Sequence, residues 1–123
     1  MTNEVEEIFD EDLLYRRIHV QYVKKSLSPD AFDFRGDGCS VDLARLTTPE
    51  STRSGSPRNP PECYKVGVLE AGKVRGIGLT LDHCPEPDNP AHSLILPPGG
   101  IEAADILGFQ TELVNLCLQR PLL

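Results

Sequence analysis

Apolar side chains recur along the chain at two periods, and the change from one to the other marks out its elements. In Leu13-Leu14-Tyr15-Arg16-Arg17-Ile18-His19-Val20, Leu14, Ile18 and Val20 share one parity and Tyr15, Arg17 and His19 the other. That alternation predicts a half-buried strand. Arg16 breaks it by falling on the apolar side, where a guanidinium needs a partner. Asp42 is the candidate for a structural ion pair. Arg17 and His19 read as the solvated face of an edge strand. Cys39–Leu43 and Tyr64–Leu69 are further strand patterns, and Ile77–His83 is another, with Ile77, Leu79 and Leu81 facing one way. From Glu102 to Gln119 the period becomes helical. Ile106, Phe109, Leu113 and Leu116 form a stripe that Leu107, Val114 and Cys117 widen, opposite Gly108, Glu112, Asn115 and Gln119. The stripe predicts an amphipathic helix packed on the sheet, with Glu102 and Asp105 in its first turn and Pro121 ending it.

Turn chemistry separates these runs. Ser28-Pro29 opens a helical turn whose Phe32 and Phe34 anchor to the core. Arg35-Gly36-Asp37-Gly38 is a turn, and its Arg-Gly-Asp triplet has no adhesion meaning in a cytosolic protein. Thr48 is placed to cap a short helix starting at Pro49, and Ser54–Pro61 is a Pro-rich surface loop. Ala71–Gly76 is either a hairpin turn or a short helical crossover. Asn89 reads as the cap of one helical turn over residues 89–94, before a short strand at Ile95-Leu96. The expected fold class is therefore α+β: a small mixed or antiparallel sheet packed against a C-terminal amphipathic helix.

Length and charge narrow this picture. A chain of 123 residues is the size of one domain. Six of its nineteen carboxylates lie in residues 1–12, which carry no Lys or Arg. The remaining thirteen face twelve Lys and Arg, so the body (13–123) is near neutral and the acidity belongs to the tail (1–12), which is expected to fray. Such a run either solvates the chain or covers a basic surface, its own or a partner's. A neutral body disfavours nucleic acid as a partner, because phosphate binding needs a basic stripe. No apolar run reaches the roughly 20 residues of a membrane span, and the acidic start is unlike a secretory signal. The expected location is the cytoplasm. Cys39, Cys63, Cys84 and Cys117 then read as free thiols, with no CxxC pair among them.

Candidate chemistry gathers in two places. Asp82-His83-Cys84, with Asp88 and His92, is the densest polar cluster. His83, Cys84 and His92, joined by Asp88 or Cys39, are of the types zinc accepts, but the spacing matches no zinc pattern. No cofactor or metal is called for. His83 or His92 could instead serve as a general acid or base, or tie two loops together. The second constellation is Arg16, Arg17 and His19 near Ser40 and Asp42, where an Arg and a Ser would face one cleft if the strands are adjacent. Glycine-rich phosphate loops are absent from the sequence.

The order Leu14-Tyr15-Arg16-Arg17-Ile18-His19, Cys39-Ser40-Val41-Asp42, Asp88-Asn89-Pro90-Ala91-His92-Ser93 resembles a family of small uncharacterised bacterial proteins across residues 13–96, which implies no activity. The Tyr-Arg opening before a Ser-containing strand is also similar to ADP-ribosyltransferase-like toxins. That likeness implies a further catalytic polar residue, often Glu, with Glu70 and Glu102 as guesses at its place. The primary expectation is a binding or accessory module acting through contacts with another protein. The alternative is a small enzyme or toxin-like domain acting on a nucleotide or nucleic acid, with Arg16, Ser40, His83 and His92 lining its cleft.

Overall fold

The computed structural model describes residues 4–34 and 38–123, so the Arg35-Gly36-Asp37 triplet lies outside the described residues. Five strands, β1 (Leu13–His19), β2 (Cys39–Leu43), β3 (Tyr64–Glu70), β4 (Thr80–His83) and β5 (His92–Leu96), form one sheet. Their order is β3-β1-β2-β5-β4, and every neighbouring pair is antiparallel. Helices α1 (Pro49–Ser54), α2 (Ala71–Gly76) and α3 (Ala103–Cys117) complete an α+β domain. Among the described residues no helix is long and apolar enough to cross a membrane.

Register decides which side chains share a face. Tyr15 pairs with Asp42, Asp42 with His92, and His19 with Tyr64, so these point to one side. Leu14, Ile18, Val41, Leu43, Leu69 and Ile95 point to the other, where they are buried with Phe32, Val74, Leu113 and Cys117. Burying each such aliphatic side chain is worth about 1.5–3 kcal/mol. Helix α3 packs against the sheet at Gly67. A Cβ there would lie 2.6 Å from Cys117 Sγ and 2.9 Å from Ile18 Cδ1, so only glycine fits without a shift.

Local chemistry explains most element starts. Ser28 Oγ accepts from Asp30 N–H at the head of the Pro29–Phe32 3-10 turn, and Thr48 Oγ1 accepts from Ser51 N–H at the head of α1. Ala71–Gly76 is the helical crossover, not a hairpin turn. The strand expected from Ile77 begins only at Thr80, because Ile77 caps α2 and Gly78 takes φ +99°, which breaks an extended run. Residues 89–94 are not helical. Asn89 Oδ1 accepts from Ala91 N–H in a tight Asx turn, and β5 starts at His92. In α3, Leu107 is exposed while Val114, two turns on at nearly the same azimuth, is buried. The first turns of α3 are covered less than the last.

Residues 4–12 lie against the body. Ile8 enters the core, Ala71 N–H donates to Asp12 O, and Gly72 N–H donates to Asp10 O. Arg45 pairs with Glu6 and Asp12, and Arg75 with Asp10 (2.7 Å). The acidic segment thus covers two of the chain's own arginines. Beside them, Glu6 N–H donates to Nδ1 of buried His83 at 2.8 Å.

Candidate functional site

The polar face of the sheet forms the floor of an open groove of about 1260 Å³. Its walls are α1 with the following loop and the loop between β4 and β5. Asp42 ties both walls to the floor: Thr52 Oγ1 of α1 donates to its Oδ2 at 2.7 Å, and Asn89 Nδ2 donates to its Oδ1 at 2.9 Å. Asp42 is thereby engaged by two neutral donors and is not the ion-pair partner expected for Arg16. The register explains why. Asp42 pairs with Tyr15, and Arg16, one residue on, starts from the opposite face.

Arg16 meets its need for partners in another way. β1 and β2 are paired only at Leu14↔Leu43 and Tyr15↔Asp42. Past that point the Arg16 side chain bridges the two segments, with Nε donating to Ala31 O (2.8 Å) and Nη1 to Ser40 O (2.7 Å). Arg16 therefore reaches the groove lining while being held by backbone carbonyls.

Of the four sequence candidates, Arg16, Ser40 and His92 line this groove, and His83 does not. His83 pairs with Ser93, which puts it on the face opposite His92. Its Nε2 bonds to Pro90 O (2.7 Å) and its Nδ1 accepts from Glu6 N–H, so His83 joins the N-terminal segment to the β4–β5 loop. The expectation that both histidines share one cleft is corrected by that register. No cluster of three or more His, Cys, Asp or Glu among the described residues is arranged to hold a metal. Cys39, Cys63, Cys84 and Cys117 form no disulfide. Burial pushes the Cys117 thiol up to about 11 and raises Cys39 as well, although Arg16 opposes the latter.

His92 and Ser40 are joined across the floor, with Ser40 Oγ 3.3 Å from His92 Nε2. The other ring nitrogen, Nδ1, lies 3.0 Å from Cys84 O. A carbonyl oxygen only accepts, so Nδ1 carries a proton, and in the neutral form of the ring Nε2 offers its lone pair to the Ser40 hydroxyl. Glu86 Oε1 stands 4.0 Å from Nδ1. A hydroxyl, a base and a group that orients the base are thus aligned.

A further cluster was missed by reading the sequence alone. β1 lies between β3 and β2 in the sheet order, but at Arg17 and His19 it pairs with β3 alone. The Arg17 guanidinium lies over the Tyr64 ring at 5.3 Å, and His19 meets the same ring edge-on at 5.5 Å. Tyr64 O–H donates to Ser56 Oγ and accepts from Asn59 Nδ2. The Ser56 bond, with help from Asn59 and Arg17, lowers the phenol below its ordinary value. Nothing in one strand announces this cluster, because it depends on His19 pairing with Tyr64. Glu70, bonded to Arg120, and Glu102, at the head of α3, lie outside the groove lining.

Compared with family models, with curated proteins and with solved structures, the chain matches none.

Proposed function

We propose that the protein is a cytoplasmic binding module that holds an extended segment of a partner protein in the groove on the polar face of its sheet. The observation that carries this reading is the groove itself. Its volume of about 1260 Å³ exceeds the roughly 300–1,000 Å³ of small-molecule pockets. The lining mixes signs: Arg16, Arg17 and Arg58 face Asp30, Asp33, Asp42, Glu86 and Asp88. Five carboxylates would repel a polyanion, which argues against nucleic acid. A polypeptide carries both charges and presents a donor and an acceptor at every residue, so it complements such a lining.

A selection of displayed peptides on the immobilised protein tests this. Selected peptides should lose at least tenfold in affinity with Ser40→Trp, which fills the floor, and bind Glu112→Lys, on the exposed side of α3, as well as the wild type. A selection that enriches no peptide, or peptides that bind Ser40→Trp equally well, would overturn the reading.

A further inference from the structure

We infer that Ser40 and His92 act as a nucleophile and general base that hydrolyse a carboxylic ester lying in the groove. This activity goes beyond binding. It rests on the alignment of Ser40 Oγ, His92 Nε2 and Cys84 O, with one distance of 3.3 Å and one of 3.0 Å. Nucleophilic serines need a base within hydrogen-bond reach and a third group that holds the base in the right tautomer, and the first bond is commonly loose before substrate arrives. Here a backbone carbonyl does the orienting. The Glu86 carboxylate near Nδ1 would offset the positive charge that His92 acquires.

The pair is also accessible. Ser40 is exposed on the groove floor, and the side chain of His92 keeps 19% of its surface open. Arg16 supplies the electrostatic part. Its Nη1 donates to the backbone carbonyl oxygen of Ser40 at 2.7 Å, so a fixed positive charge stands beside the residue whose Oγ attacks the ester.

The steps balance without any co-reactant except water. Ser40 Oγ forms a bond to the ester carbonyl carbon as its proton passes to His92 Nε2. The carbon–oxygen bond to the leaving group then breaks, and the departing alkoxide takes that proton from His92. Water attacks the resulting Ser40 ester and gives its proton to His92. The carboxylic acid leaves, and Ser40 recovers its hydrogen. An ester suits the site better than an amide, because an alkoxide departs more readily than an amine and Arg16 offers one cation rather than a converging pair of backbone donors.

The full chain would be treated with a fluorophosphonate probe, the adduct located by peptide mass spectrometry, and hydrolysis of p-nitrophenyl butyrate followed in parallel. The expected result is one adduct on Ser40 and turnover that falls at least 100-fold in Ser40→Ala. His92→Gln, whose side-chain amide can still donate to Cys84 O but cannot take the proton, should slow both labelling and turnover by about 100-fold, the lower end of general-base contributions. Circular dichroism shows that each variant is folded. No adduct on Ser40, or labelling that folded His92→Gln leaves unchanged, overturns the inference. Binding of the selected peptides is measured on the wild-type chain in parallel, so a protein that binds them but forms no adduct on Ser40 fails this inference and not the binding reading.

Discussion

His83 and His92 stand on opposite faces of the sheet because His83 pairs with Ser93, one residue beyond His92 along β5. Side chains alternate along a strand, so this single step separates two roles. His92 faces the groove and Ser40. His83 faces the core side and holds the N-terminal segment.

His83→Ala should free that segment. It removes the acceptor for Glu6 N–H and the group bonded to Pro90 O. The expected cost is about 1–3 kcal/mol, the usual penalty for orphaning a partly buried polar group. Hydrogen exchange should show the Glu6 amide exchanging faster in His83→Ala and unchanged in His92→Ala. Equal protection in both variants would mean that Ile8 and the Arg45 and Arg75 contacts hold the segment without His83.

Two glycines should respond in opposite directions. Gly67→Ala pushes a methyl group into Cys117 Sγ and Ile18 Cδ1 and should destabilise by about 1–3 kcal/mol, as overpacking does. Gly108 lies inside α3 with open space where a Cβ would go. Gly108→Ala should stabilise by about 0.5–1 kcal/mol through helix propensity. Urea unfolding of the two variants measures both. A neutral Gly67→Ala would show that α3 shifts away from the sheet at little cost.

The tie between Glu70 and Arg120 should appear in the pH dependence of stability. Arg120 Nη2 donates to Glu70 Oε1 at 2.7 Å, and this bond, with Lys73 nearby, holds the carboxyl below its ordinary value. A carboxyl lowered in the folded protein stabilises the fold above its unfolded value, and the contribution is lost as pH falls through the lower, folded value. Thermal unfolding of wild type and Arg120→Ala should therefore converge in acid and separate as pH rises through the glutamate range, around pH 4. Curves that stay parallel across that range would show no such coupling.

Much of this fold is legible along the chain. Parity places Leu14 and Ile18 in the core with Arg16 beside them, Ser28 and Thr48 are caps at the positions their chemistry suggests, and the helical period of residues 102–119 corresponds to α3. These features depend on contacts within a few residues, and local propensity and periodicity record them. The boundary errors come from local geometry that outweighs propensity, such as the positive φ of Gly78 and the Asx turn at Asn89.

The groove is different. Ser40, Arg16 and His92 stand out as residues with chemistry, but strand alternation alone does not say which of them meet. By itself the sequence determined β1, β2, β3 and α3, the apolar face of β1, and an acid-rich N-terminus on a near-neutral body. Only the tertiary structure decided that β5 lies beside β2 in a register that brings His92 to Ser40 and sends His83 to the other face. It also decided that the acidic segment would cover Arg45 and Arg75. The physical reason is that strand order and register are set by burying many apolar side chains at once, across separations of tens of residues. The polar side chains of the groove then take whatever neighbours that packing provides.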